Sequence, residues 1–171
     1  MIKNSLVKAL NEQVNAEFYS AYLYFAMSAY ANGAAYKGIA NWLAVQAQEE
    51  TAHAVHIYQH ILERGASPSF SDIKAPEGSY TGIKDVFEKT LAHEKLVSGL
   101  IDRIATLALE EKDHATYNFI SWYVKEQIEE EASAAEILSK INLSGGHPGI
   151  LYSLDSELGS RTYSNPFGAQ D

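Results

Sequence analysis

The sequence predicts an all-α protein, built as a four-helix bundle with one long crossover and a short fifth helix. Three observations indicate this class: four long stretches with helical spacing, no segment with the alternation of a strand, and one long connection between the second and third stretches. The 171 residues match one domain, and 46% of them are hydrophobic, so a substantial core can form. We expect a bundle domain over residues 1–158 and a polar C-terminal tail over residues 159–171.

Apolar residues recur every three or four positions along four long stretches, which predicts four helices. Their predicted spans are about residues 4–30, 36–64, 82–111 and 113–141. Asn32-Gly33 and Gly65 are typical of residues at or after a helix end, and Asp113 can cap the first amides of the fourth helix. The short turns after the first and third helices make each helix pair antiparallel neighbours.

The connection between the second and third helices is long and has no helical period. It covers residues 65–81 and reads GASPSFSDIKAPEGSYT. The second helix, with roughly 28 residues, is roughly 42 Å long. An extended chain of this loop reaches roughly 55 Å. The loop can therefore return along the whole bundle and make the second and third helices parallel.

A shorter fifth helix is predicted after His147-Pro148. Its apolar residues fall on one side: Ile150, Leu151, Leu154 and Leu158. A helix this short is not stable alone, and an apolar stripe normally needs a partner. We expect this stripe to pack at a symmetry axis between subunits.

Composition and charge exclude several functional classes. The chain has no cysteine, which excludes disulfides, thiolate zinc sites, rubredoxin-type iron and cysteine nucleophiles. The net charge is −9 and lysine and arginine do not cluster, so we expect no nucleic-acid partner. No apolar run is long enough to span a bilayer, and the first residues lack the core of a signal peptide. We therefore expect a cytoplasmic protein without a membrane partner.

Each long helix interrupts its apolar face with polar groups near its midpoint. The groups are Glu17 in the first helix, Glu50 and His53 in the second, Glu94 in the third, and Gln127 and Glu130 in the fourth. A single buried glutamate is usually a satisfied structural group. Several aligned carboxylates left unpaired would instead cost several kcal/mol per charge. Oxygen ligands with one imidazole suit iron or manganese better than copper, so the pattern predicts a dimetal carboxylate site.

The two helix pairs repeat this pattern at a fixed offset. Positions 77 residues apart correspond: Glu17 with Glu94, Glu49 with Glu126, Glu50 with Gln127, and His53 with Glu130. The pairs therefore form quasi-equivalent halves around a pseudo-twofold axis. Duplication and geometric convergence both explain the offset.

On these residues the chain resembles a bacterial non-haem ferritin over nearly its whole length. The resemblance implies that Glu17, Glu50 and His53 form a first iron site, with Glu50 bridging. It implies that Glu94 and Glu130 form the second iron site. Further positions follow the family: Gln127 is associated weakly with the centre, Tyr24 is a tyrosine able to donate an electron, and Glu49, Glu126, Glu129 and Glu130 form a possible third iron site.

An alternative for the third site stays open. Residues 126–131 read EQIEEE, and a charge run of this kind is usually a solvated face. Likewise, His56 and His60 lie four positions apart and could bind a metal, but we expect both at the surface.

Departures from related families argue against haem. Haem-binding bacterioferritins carry a second Glu-x-x-His on the fourth helix, where this chain has Gln127-Ile128-Glu129-Glu130. They bind haem through a methionine beside the bridging glutamate, where this chain has Thr51. The chain has two methionines, Met1 and Met27, and neither lies beside the bridging glutamate, so no haem is expected.

The resemblance implies iron storage with ferroxidase activity. Fe(II) would be oxidised by dioxygen or peroxide and stored as a ferric mineral inside a hollow homo-oligomer of 24 subunits. Two other functions stay open at this point. One is a non-storage diiron oxidase or peroxidase of the same superfamily, and the other is a metal-free scaffolding bundle.

Overall fold

The computed structural model describes residues 2–168, which form five α-helices and no strand. The helices are α1 Asn4–Gly33, α2 Lys37–Glu63, α3 Ile83–Glu110, α4 His114–Ser144 and α5 Pro148–Leu158. The predicted class is confirmed, and the predicted ends of the first and fourth helices fall three residues short. None of the helices in the described range is long and apolar enough to cross a membrane. Met1 and the last three residues of the predicted tail lie outside the described range.

Helix ends follow local chemistry, with one difference from the prediction. Asp113 caps α4 by accepting the backbone N–H of Thr116 at 3.0 Å. The guanidinium of Arg64 donates two hydrogen bonds of 2.9 Å to the same carboxylate and lowers the pKa of Asp113 to about 2. Gly33, predicted at or after the end of α1, is still helical. The left-handed residue after α1 is instead Ala35, with a φ of 68°.

The long crossover makes α2 and α3 parallel, as predicted. The Ser20 hydroxyl of α1 contacts His93 of α3 at 2.8 Å, and the Thr90 hydroxyl of α3 donates to the sulfur of Met27 at 3.5 Å. Later residues of α1 thus contact earlier residues of α3, so these two helices are antiparallel. Because α1 also runs antiparallel to α2 across a short turn, α2 and α3 point the same way.

Two apolar clusters occupy the two ends of the bundle. One includes Met27 and Leu43, and the other includes Leu10 and Ile57. The polar positions at the middle of each helix lie between these clusters. The core therefore places one polar layer at mid-height and closes it above and below with apolar side chains.

Helix α5 docks on the N-terminal end of α2 in its own chain. Leu154 and Leu158 are buried, and the carboxylate of Asp155 accepts the backbone N–H of Ile39 at 2.8 Å. The predicted intersubunit stripe is therefore wrong for these two leucines, because α2 of the same chain covers them. Ile150 is 50% exposed and Leu151 is partly exposed, and for these two residues an intersubunit contact stays a prediction.

The prediction that His60 is at the surface is wrong. Its side chain is buried, and its ring stacks on Phe119 with centroids 3.8 Å apart. Burial lowers the pKa of His60 to about 4, and the charge of Arg64 contributes. His56 is half-buried and stacks on Phe167 at 3.7 Å. Helical spacing put both histidines near the helix flank, but aromatic residues of α4 and of the tail cover that flank.

We expect His60→Gln to reduce the acid sensitivity of the apoprotein. A histidine with a folded pKa near 4 and an ordinary value near 6.5 contributes stability above pH 6.5 that is lost as the pH falls towards 4. At about 1.4 kcal/mol per pKa unit, the difference between 6.5 and about 4 corresponds to a loss of at most about 3.5 kcal/mol. Denaturant unfolding at pH 7 and pH 4.5 measures it, with exposed His114→Gln as the matched control. An equal loss in parent and His60→Gln proteins would contradict this assignment.

Candidate metal centre

A layer of polar side chains crosses the middle of the bundle. All six predicted residues of the layer are at most 6% exposed: Glu17, Glu50, His53, Glu94, Gln127 and Glu130. α1 and α3 contribute one each, and α2 and α4 contribute two each, three positions apart and so on one face. Four carboxylates in an apolar surrounding need protons or cations to offset their charge.

Glu17, Glu50 and His53 form the most compact group in this layer. One potential ligand atom from each lies within 4.8 Å of the other two. Nδ1 of His53 is 3.5 Å from Oε2 of Glu50, which is too long for a strong hydrogen bond. Metal–ligand bonds of about 2.0–2.2 Å put neighbouring ligand atoms roughly 3–4 Å apart. The group therefore has the spacing of ligands around one ion.

Two atoms of this group have no hydrogen-bond partner among the described residues. They are Oε2 of Glu17 and Nε2 of His53, and both are buried. The other carboxylate oxygen of Glu17 accepts a 2.8 Å hydrogen bond from Gln13. Buried polar atoms without partners are rare, and an ion is one common explanation. The residues present thus fit a metal ion on donor type, spacing and unsatisfied atoms.

Glu50 is the electrostatic centre of the layer. Burial raises the pKa of Glu50 well above its usual value, and the carboxylates of Glu94 and Glu130 raise it further. Burial and the charge of Glu50 do the same to the pKa of Glu17. Glu50 therefore interacts with carboxylates on all three other long helices. A cation beside Glu50 would relieve several of these repulsions at once.

The second half of the layer contains Glu94 and Glu130. The hydroxyl of Tyr24 donates to one carboxylate oxygen of Glu94, and Gln127 donates to the other at 3.2 Å. The pKa of Tyr24 is raised well above 10, first by burial and then by Glu94, so the phenol keeps its proton. Burial and Glu94 raise the pKa of Glu130 well above its usual value. The predicted residues Tyr24 and Gln127 thus each donate to one carboxylate oxygen of Glu94.

Sequence reasoning missed three residues that orient these carboxylates, directly or through a neighbour: Gln13, Gln46 and Arg161. Gln13, four positions before Glu17, could have been found from helical spacing alone. Arg161 could not, because it lies in the predicted polar tail. It donates to the side-chain oxygen of Gln46 at 2.7 Å, and the amide of Gln46 donates to Glu130 at 2.6 Å.

The predicted third set is only partly assembled. Glu49 and Glu126 are half-buried and Glu129 is exposed. The pKa of Glu126 is raised by burial first, and the charges of Glu129 and Glu49 add to it, so the three groups are near one another. Glu49, however, forms an ion pair with Arg161. Within residues 2–168, no metal-like grouping of ligand atoms includes these three carboxylates.

Aromatic rings enclose the His53 side of the layer. The ring of Trp122 lies edge-on to His53 with centroids 5.5 Å apart, and Tyr123 lies at 5.7 Å. The Tyr123 hydroxyl donates to the backbone carbonyl of His53 at 3.1 Å and contacts Nδ1 of His56 at 2.9 Å. These contacts fix the α2 backbone at His53 and limit access of water to the imidazole.

Comparisons with known proteins agree with this architecture. A family model described as "Ferritin-like domain" matches residues 7–144. The chain is 39% identical over 160 residues to a "Probable bacterial non-heme ferritin-like protein" of Haemophilus influenzae, covering 94% of this chain and 97% of that protein. It is 36% identical over 163 residues to a "Bacterial non-heme ferritin" of Staphylococcus aureus, covering 95% and 98%.

Solved structures agree equally well. An Archaeoglobus fulgidus ferritin, engineered into a closed form by site-directed mutagenesis, superposes with a TM-score of 0.94 at 41% identity. That likeness covers 96% of this chain and 100% of the other. Family model, sequence identity and superposition all span the bundle that carries the polar layer, and the chain belongs to the ferritin family.

Proposed function

We propose that this protein stores iron and oxidises Fe(II) to Fe(III) at the polar layer. The observation that carries the proposal is the buried group of Glu17, Glu50 and His53, which has metal-ligand spacing and two unpartnered donor atoms. The relatives' printed names, which describe non-haem ferritins, support iron as the metal.

In this proposal the layer holds two Fe(II) ions as substrate. Glu17 and His53 bind one ion, Glu94 and Glu130 bind the other, and Glu50 bridges them. The raised pKa values of the carboxylates mean that binding releases protons, since carboxylates bind metals in their ionised form. Each Fe(II) gives up one electron, and the pair of electrons reduces dioxygen to peroxide or peroxide to water. Carboxylates favour the harder Fe(III) product.

Tyr24 is suited to support this oxidation from beside the second ion. Its hydroxyl is hydrogen-bonded to Glu94, so the phenol holds one oxygen of that ligand in place. We propose that Tyr24 can also give one electron to the dioxygen or peroxide being reduced and its proton to the Glu94 carboxylate, which leaves a neutral tyrosyl radical. Gln127 orients the same carboxylate from the opposite side.

Storage requires a route to a mineral and a shell around it. We propose that Fe(III) leaves towards the face of Glu49, Glu126 and Glu129, where a possible third iron site would form together with Glu130. The shell is proposed to contain 24 subunits, which gives about 450 kDa for a chain of 18.9 kDa. No haem takes part in this proposal.

We expect the assembled apoprotein to oxidise two Fe(II) per chain in a fast first phase. The test loads it with Fe(II) without oxygen, admits air, and records oxidation, oxygen uptake and assembly mass together. Fast oxidation with a mass near 450 kDa supports a storage shell. Fast oxidation in a small assembly would favour a non-storage diiron oxidase, and the absence of iron binding would favour a scaffold.

A further inference from the structure

The described part of the C-terminal tail lies along α2 and α4 and does not project away from the bundle. After α5, the side chain of Asn41 donates to the backbone carbonyl of Arg161 at 2.8 Å. The Arg161 guanidinium lies over the Trp42 ring, 4.7 Å from its centroid. Six residues later Phe167 packs on Trp122 with centroids 4.6 Å apart. The tail is thus fixed at two points on the α2–α4 face that flanks the polar layer.

Arg161 brings a positive charge to this face. One guanidinium nitrogen pairs with Glu49, and the side chains are only 26% and 18% exposed, so solvent screens the pair incompletely. Glu49 belongs to the carboxylate set with Glu126 and Glu129 described above. A divalent ion bound at Glu49 would have to displace Arg161 or bind beside its positive charge.

The second guanidinium contact reaches the polar layer itself. Because Arg161 can only donate hydrogen bonds, its 2.7 Å contact orients the amide oxygen of Gln46 towards the tail. The amide nitrogen of Gln46 is then directed inward and donates to Glu130 at 2.6 Å. One side chain of the tail is therefore connected both to Glu49 and, through Gln46, to a proposed iron ligand.

We propose that Arg161 is a positioning residue and built-in counter-cation: it pairs with Glu49, which weakens the binding of a third metal ion there, and it orients Glu130 through Gln46. This inference rests on the proposed function. With Arg161 in place, each chain binds two divalent ions tightly and a third only weakly. The tail thus sets metal stoichiometry on the face of Glu49, Glu126 and Glu129.

The test is anaerobic calorimetric titration of the assembled, full-length apoprotein with Zn(II), which is redox-silent. We expect two tight sites per chain in the parent protein. Arg161→Gln is expected to bind a third Zn(II) at least about tenfold more tightly than the parent, the order expected when one positive charge near a divalent ion is removed. Arg161→Lys keeps the charge and is expected to bind as the parent does.

Two further variants separate this effect from a general change in charge. Arg103→Gln makes the same charge change at an exposed position of α3 and is expected to leave the third site weak. Adding Glu49→Gln to Arg161→Gln is expected to abolish the new site. Equal Zn(II) binding by the parent, Arg161→Gln and Arg103→Gln proteins would overturn the role of Arg161.

The same titration keeps this inference distinct from the proposed function. A parent protein that binds fewer than two Zn(II) per chain and does not oxidise Fe(II) contradicts the proposed function. A parent with two tight sites and fast oxidation, together with an unchanged Arg161→Gln variant, overturns only the inference about Arg161. Melting temperatures of all variants show whether each remains folded during the titration.

Discussion

Replacing Glu50 with alanine is expected to abolish fast Fe(II) oxidation while the bundle stays folded. Glu50 is within ligand spacing of Glu17 and His53 and interacts with Glu94 and Glu130, so its loss removes the bridge between both proposed ions. Even outer partners of metal ligands are worth 10–100-fold, so losing the bridge should slow the first phase by more than about a hundredfold. Stopped-flow absorbance after mixing with Fe(II) in air measures this rate.

A second replacement of Glu50, by glutamine, tests the charge of this group in the apoprotein. The folded pKa of Glu50 is raised, so the group favours the folded state at low pH and opposes it increasingly as the pH rises above the usual glutamate value. Glu50→Gln, which keeps the shape and removes the charge, should therefore melt above the parent, and by more at pH 8 than at pH 5. Both melts are made with a chelator present.

Exposed Glu63 on the same helix provides the control. Glu63→Ala removes a carboxylate far from the polar layer and should keep the parent's oxidation rate and melting temperature. An unchanged initial rate in Glu50→Ala would contradict the assignment of Glu50 as the bridging ligand.

Replacing Gly38 with alanine is expected to detach α5 from the bundle. A Cβ atom at this position would lie 1.6 Å from the backbone oxygen of Asp155 and 2.9 Å from the nitrogen of Gly159, so the helix must move. Movement exposes Leu154 and Leu158, and burial of a leucine is worth about 1.5–3 kcal/mol. We therefore expect a loss of at least about 3 kcal/mol in the free energy of unfolding.

Gly99→Ala is the matched control, because a Cβ at that helical position of α3 meets nothing within 4 Å. It should be neutral or slightly stabilising, since alanine favours helices over glycine. Denaturant unfolding compares the two variants, and hydrogen exchange over residues 148–158 reports on α5 directly. Equal stability and equal exchange protection in both variants would show that α5 does not depend on close contact at Gly38.

The helices and the buried polar layer were accessible from sequence because both depend on local periodicity. Apolar residues at helical spacing identify the buried face, and Glu50 and His53 interrupt that face three positions apart. The offset between helix pairs then aligned Glu17 with Glu94 at one level. Because helical periodicity tells which residues share a face along the whole helix, these residues could be placed without knowing how the helices pack. Within the helix bounds, the misjudged positions lie near helix ends, such as Gly33 and Ser144.

Contacts between segments distant in the chain required the tertiary structure. Arg161 has no periodic context, and only the docking of α5 on α2 brings it to Glu49 and Gln46. His60 is buried because Phe119, on another helix, covers it. Leu154 belongs to the core of its own chain for the same reason. The sequence alone determined which face of each helix is buried and which polar residues lie at its midpoint. Only the tertiary structure decided which charged groups pair with the polar residues and which side chains cover the buried ones. These contacts come from helix ends and the tail, and non-periodic contacts leave no regular spacing in a sequence.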